Sequence, residues 1–165
     1  MSQYLILCVD DERYVLDSVL QDLEDFEEHF IIEATESVAE AKEVLASAQQ
    51  DGQQLALILC DHIMPEQTGV SFLVELDHAK ATSQAKKVLL TGQADLEDTV
   101  KAVNEAHLDY FIGKPWKGDE LRHIVTQQLT EYVIQHDDNL MRWTAVLDTE
   151  RILNALSDKR AQFGE

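Results

Sequence analysis

Five polar residues stand where short apolar runs end. Asp10 and Asp11 close the run that begins at Tyr4, and Asp61 closes Leu55 to Cys60. Thr91 ends Lys87 to Thr91, and Lys114 follows Asp109 to Gly113. Three carboxylates brought together repel one another unless a cation neutralises them or their pKa values rise. Their oxygens suit a hard divalent ion, and Mg²⁺ in particular keeps positions open for water and phosphate oxygens. Lys114 supplies a compact positive charge that can pair with Asp61 at rest and meet a phosphoryl oxygen afterwards. The Thr91 hydroxyl can donate to another such oxygen. Phosphoryl transfer asks mainly for positioning and charge neutralisation, and a carboxylate nucleophile at Asp61 would form an aspartyl phosphate.

Each of these residues alone has an ordinary explanation. An Asp-Asp pair is usually a solvated turn, a strand-end threonine reflects β-propensity, and "KPW" at Lys114 to Trp116 reads as a loop stop before a helix. What gives them weight is the elements that carry them. Tyr4 to Val9, Phe30 to Ala34, Leu55 to Cys60, Lys87 to Thr91 and Asp109 to Gly113 read as strands, three of them nearly continuous apolar runs suited to burial on both faces. Helical stripes lie between and after them. Val15, Leu16, Val19, Leu20 and Leu23 make one; Val38, Ala41, Val44 and Leu45 make another, with Ser37 and Glu40 at capping-box spacing. Val70, Phe72, Leu73 and Leu76 follow Gly69; Leu96, Val100 and Val103 follow Asp95, an expected N-cap; Leu121, Ile124, Val125 and Leu129 form the fifth.

Strand and helix thus alternate five times, which predicts a doubly wound α/β fold with a parallel sheet and helices on both faces. In such folds functional loops gather beyond the carboxyl ends of the strands, where the winding reverses. The alternation therefore brings Asp10, Asp11, Asp61, Thr91 and Lys114 to one sheet edge.

The segments "VDDE" (Val9 to Glu12), "DHIMPEQTG" (Asp61 to Gly69), "LLTGQAD" (Leu89 to Asp95) and "DYFIGKPW" (Asp109 to Trp116) together resemble a two-component response-regulator receiver domain over residues 3 to 130. The resemblance implies a flavodoxin-like sheet of order 2-1-3-4-5. It makes Asp61 the phosphoacceptor, charged by a histidine kinase or phosphotransfer protein. It places Mg²⁺ on Asp11 and Asp61 directly, on Asp10 largely through water, and on the backbone carbonyl of Ile63. Pro65 and Gly69 would shape the loop and the start of the third helix. The family's switch aromatic falls on Phe111, which would rotate into space that Thr91 vacates. That motion would bias a surface made by the fourth helix, fifth strand and fifth helix; the plain reading of Phe111 is an ordinary core residue. Ile63 and Gln93 stand where family members tune phosphate lifetime. Apolar Ile63 cannot orient an attacking water, so slow self-dephosphorylation is expected; Gln93 has an amide that could.

Residues 131–165 read as a helical extension. Val133, Leu140, Trp143 and Leu147 form one stripe, continued by Ile152, Leu153 and Leu156. Trp143 and Met141 are costly to expose, which points to pairing with a partner or a second copy; folding back on its own domain is the other arrangement. A homodimer would use this helix or the surface of the fourth helix, fifth strand and fifth helix. A further expectation is that the extension leads to an output domain of a longer protein.

With 13 basic against 32 acidic residues and a net charge of −19, no nucleic-acid footprint is evident. No apolar run is long enough to span a membrane, the start "MSQYLILCVDDE" lacks the basic region of a signal peptide, and Cys8 and Cys60 fit a reducing cytoplasm. The six histidines show no zinc-ligand spacing. A stand-alone phosphohydrolase would want a second aspartate two residues after its nucleophile, where Ile63 stands. The expectation is a signalling switch that catalyses only its own phosphorylation and dephosphorylation. The alternative is a phosphorylation-independent adaptor with the same fold.

Overall fold

The apolar runs become five parallel strands of one sheet: β1 (Gln3–Val9), β2 (Ile31–Thr35), β3 (Gln53–Cys60), β4 (Lys86–Thr91) and β5 (Tyr110–Gly113), in the order β2-β1-β3-β4-β5. The computed structural model describes residues 2–92 and 96–162. Expected features on Gln93 and Asp95 lie outside them. Successive side chains alternate across a strand, and both faces of this sheet are covered, so β1 is buried from Tyr4 to Val9. Tyr4, Ile6 and Cys8 join a cluster with α1 (Arg13–Asp22) and α5 (Gly118–His136). Leu5, Leu7 and Val9 join another with α2 (Val38–Gln50), α3 (Gly69–His78) and α4 (Leu96–Glu105). The register of β1 against β3 shifts between Leu5 and Ile6, and Ala56 and Leu57 both enter the first cluster as a result. This is the doubly wound, flavodoxin-like order the alternation and the resemblance implied.

Local chemistry sets the helix starts. Ser37 Oγ accepts the Glu40 N–H, and the Glu40 carboxylate in turn accepts the Glu36 N–H. Thr68 Oγ1 accepts the Ser71 N–H at the start of α3. No helix among the described residues is long and apolar enough to cross a membrane.

The extension behaves differently from a waiting helix. α5 runs unbroken through the boundary expected at residues 130 and 131, because its buried face continues through Leu129, Tyr132 and Val133. After it come a 3₁₀ turn (Leu140–Trp143) and α6 (Thr149–Gln162). Trp143 is only 2% exposed; its ring stacks on Phe30 at 4.9 Å and lies 5.8 Å from the ring of Tyr4. Tyr4 and Phe30 stand at the amino-terminal end of the sheet, opposite the edge that gathers the acidic residues. Asp137 fastens this end. Its Oδ2 accepts from Tyr4 Oη (3.0 Å), Arg142 (2.8 Å) and Trp143 Nε1 (2.9 Å), and its Oδ1 from the Asn139 N–H. α6 is clasped to α5 by Gln127 with Asp148 and Arg151, and by Glu131 with Arg151.

The expectation that Trp143 pairs with a partner or a second copy is therefore corrected. Leu140, Trp143, Leu147 and Ile152 are buried in the chain's own first cluster, leaving Met141 and Leu153 exposed. A linear stripe does not show the chain reversal after His136 that turns it inward.

Candidate functional site

The sheet's ladder continues just past the strand ends and fixes the backbone there. Asp10 N–H donates to Thr35 O, Asp61 N–H to Val9 O at 2.9 Å, and Lys114 N–H to Thr91 O. Because β1 and β3 are neighbours, Asp10 and Asp61 come side by side at the point where the winding reverses. Asp10, Asp11, Glu12 and Asp61 can each offer a carboxylate oxygen with all four within 4.8 Å of one another. Asp10 and Asp61 are buried, whereas Asp11 and Glu12 are exposed. Glu12 is the member that sequence reading left out. It stands in the quoted "VDDE", but nothing in that tetrapeptide says that the turn brings the third acid back toward Asp61.

Lys114 reaches this cluster from the end of β5. Its Nζ lies 2.6 Å from Asp10 Oδ2 and 3.5 Å from Asp61 Oδ1. The expected resting partner, Asp61, is thus the more distant of two. Asp10 is the closer because its Oδ1 is held by the Glu12 N–H at 2.9 Å, turning Oδ2 to the lysine. Burial and the neighbouring Asp61 charge raise the Asp10 pKa, against the pull of Lys114 and the Glu12 N–H. Burial works against the charged Lys114, but its bonds to and attraction by Asp10 and Asp61 outweigh that, and its pKa is raised. The lysine therefore stays cationic. Cys60, beside Asp61, has its thiol pushed up by burial and then by the charges of Asp61 and Asp10, so it stays protonated and inert.

Thr91 is buried at the end of β4. Phe111 is 38% exposed on β5 beside Tyr110 at 45%, so it faces outward and is no ordinary core residue. Ile63 lies in the loop after β3 with its side chain half exposed. Gly69 marks the tightest approach in the site. A Cβ there would sit 1.8 Å from the Asp61 carbonyl oxygen, while its own N–H donates to His62 O at 2.8 Å. Glycine is required because the start of α3 packs directly on the backbone of Asp61.

His62 was given no role by sequence reading. It is buried, with its N–H on Asp61 Oδ1 at 2.9 Å and its Nε2 3.1 Å from Asp98 Oδ2 of α4. Asp98 is too distant in sequence for any spacing pattern to pair the two.

Chemically, the four carboxylates form an all-oxygen donor set of the hard type that Mg²⁺ or Ca²⁺ takes, with a fixed ammonium on one side. Residues 6–126 match the family described as response regulator receiver domain. The hydrogenase transcriptional regulatory protein HoxA of Cupriavidus necator is 33% identical over 135 residues, covering 82% of this chain and 26% of that protein. The chain spans about a quarter of the length of the curated relatives it matches. A CheY-like response regulator receiver domain from Methanospirillum hungatei is 31% identical with a TM-score of 0.67, covering 81% of this chain and 99% of that one. The signal receiver domain of an HD domain-containing protein from Pseudomonas fluorescens shares the fold at 23% identity and TM-score 0.72, over 84% of this chain and 95% of that one.

Proposed function

The chain belongs to the response-regulator receiver family, whose members serve two-component signalling, and from that premise we propose that it is a switch thrown by phosphorylation of Asp61. The observation that carries this reading is the convergence of buried Asp10 and Asp61 with Lys114 at the carboxyl edge of the sheet.

The Asp61 carboxylate attacks the phosphorus of a phosphohistidine on a histidine kinase or phosphotransfer protein. The P–N bond breaks, the imidazole nitrogen keeps its electron pair, and a mixed carboxylic-phosphoric anhydride remains on Asp61. Oδ1 is held by the His62 N–H and faces Lys114, which leaves Oδ2 to attack. Lys114 follows the charge from Asp10 to the incoming phosphoryl oxygens, and the Thr91 hydroxyl donates to another of them. Asp10, Asp11 and Asp61, with the Ile63 carbonyl and the Glu12 carboxylate nearby, would hold Mg²⁺. Such an ion supplies neutralisation of the phosphoryl charge. Movement of Thr91 lets Phe111 turn inward from its exposed position and changes the surface of α4, β5 and α5.

In this reading the chain catalyses only its own phosphorylation and dephosphorylation, in the cytoplasm. The likeness to HoxA favours transcription as the level at which the switch acts, through a segment or partner beyond these residues.

The test is intact mass after incubation with acetyl phosphate and Mg²⁺, alongside light scattering. A Mg²⁺-dependent gain of one phosphoryl group, lost in Asp61→Asn, supports the reading. No gain from acetyl phosphate or from a phosphorylated kinase would favour the adaptor instead.

A further inference from the structure

The His62 imidazole takes no part in the phosphoryl transfer, yet the side chain is only 4% exposed and the residue's three nitrogens each reach a different partner. Its backbone N–H donates to Asp61 Oδ1 at 2.9 Å. Ring Nδ1 accepts the Val70 N–H, in the first turn of α3, at 3.4 Å. Ring Nε2 lies 3.1 Å from Asp98 Oδ2, in the first turn of α4. Since Nδ1 accepts, these contacts assign the ring hydrogen to Nε2, where it donates to Asp98. The ring is thus a rigid strut from the acceptor loop to α4, seated on the end of α3.

We propose that His62 is a positioning residue that couples the state of the Asp61 carboxylate to α4, and that its bond to Asp98 opposes modification of Asp61. The proposal rests on Asp61 being the acceptor. In the carboxylate form, Oδ1 carries half of a negative charge and takes a charge-assisted bond from the His62 N–H. Once Oδ2 is phosphorylated, Oδ1 becomes a neutral carbonyl oxygen and that bond weakens. Lys114, 3.5 Å from the same oxygen, simultaneously gains a more strongly charged neighbour. One of the three restraints on His62 then slackens, on the side facing the reacting atoms. The ring carries the displacement to Asp98, because close packing around a side chain only 4% exposed leaves its two torsions little room to absorb it. An interaction that is stronger before modification than after must, by linkage, disfavour the modified form, and its removal must favour that form equally. The α4 surface so held includes Val100 and Val103, both about half exposed, so its position alters what the outside of the molecule presents.

Asp98 is the residue to change, since its side chain is 39% exposed and its loss leaves no buried cavity. The experiment titrates the full chain with beryllofluoride and Mg²⁺ by calorimetry. Beryllofluoride binds a carboxylate oxygen through beryllium with the tetrahedral shape of a phosphoryl group. Asp98→Ala is expected to bind it about tenfold more tightly than the native chain, the worth of one hydrogen bond to a charged group. It should do so with a lower urea midpoint, which separates the effect from general stabilisation. Asp98→Asn keeps an acceptor for Nε2–H and should return to within about threefold of native, given its weaker uncharged bond. Amide exchange at the first turn of α4 should rise on beryllofluoride binding in the native chain and start high in Asp98→Ala. Equal affinities in all three proteins, or weaker binding by Asp98→Ala, would overturn the coupling while leaving Asp61 as the acceptor. Failure of the native chain to bind beryllofluoride at all would overturn the Asp61 assignment and the coupling with it.

Discussion

Lys114 Nζ lies 2.6 Å from Asp10 Oδ2, closer than its 3.5 Å to Asp61 Oδ1. The lysine therefore stands on a carboxylate that belongs to the candidate cation set, and a divalent ion arriving at Asp10 must displace part of that contact. Two effects of Lys114→Gln follow with opposite signs. Mg²⁺ affinity, read by calorimetry, should rise severalfold because a competing positive charge is gone. Phosphoryl acceptance from acetyl phosphate should fall about 100-fold, because the developing charge loses a preorganised donor. A loss of both together would mean that the lysine acts mainly by holding the fold.

Gly69 tests how tightly the acceptor is built. A methyl group at this position would fall 1.8 Å from the Asp61 carbonyl oxygen, a backbone atom that no side-chain rotation can move away. Gly69→Ala should lower stability by about 2–3 kcal/mol in urea unfolding, the usual cost of forcing volume into a packed site. It should reduce phosphorylation as well, since the start of α3 and Asp61 must separate. A stable variant with native phosphorylation would contradict this packing.

Asp137 holds the extension to the sheet. Asp137→Ala leaves the Tyr4 hydroxyl, the Trp143 indole N–H and Arg142 without their shared acceptor, and should cost about 3–5 kcal/mol by denaturant unfolding. Burial pushes the Asp137 pKa up, but donors from Asn139, Trp143, Arg142 and Tyr4 outweigh it and hold it below the ordinary value. Because the folded pKa is the lower one, the stability this carboxylate contributes is complete above the ordinary aspartate range. It is lost as pH falls through the folded pKa. The native chain should thus lose stability below about pH 4 more steeply than Asp137→Asn, with Trp143 fluorescence as the probe.

Ile63 is half exposed beside the acceptor and offers no hydrogen-bonding atom on its side chain. Ile63→Asn gives the loop an amide able to orient water at the anhydride. The phosphorylated form should then decay severalfold faster in a lifetime assay, with formation little changed. An equal or longer lifetime would remove Ile63 from the control of dephosphorylation.

Much of this arrangement was legible in the sequence because two periodicities spoke together. Continuous apolar runs marked strands buried on both faces, and amphipathic stripes marked the crossovers; alternation then fixed which strand ends share an edge. Asp10, Asp61, Thr91 and Lys114 could be placed that way without any side-chain geometry. Glu12 and His62 could not, because their contacts depend on how a turn and a loop point. The lysine that opens the fourth run gives another example. Lys87 is 1% exposed, its Nζ donating to the Ser83 and Ala85 carbonyls, yet lysine in a strand reads as surface. Trp143 failed for a different reason. Its apolar stripe was correct, but the stripe cannot say whether its partner is another chain or Phe30 across a chain reversal.

Trapping the acyl phosphate identifies which carboxylate takes the phosphoryl group. The chain would be phosphorylated with acetyl phosphate and Mg²⁺, reduced with borohydride, and mapped by peptide mass spectrometry. An acyl phosphate is reduced to the alcohol, so the account predicts homoserine at residue 61 and unchanged aspartate at Asp10 and Asp11. Homoserine at either of those positions, or at none, would contradict it.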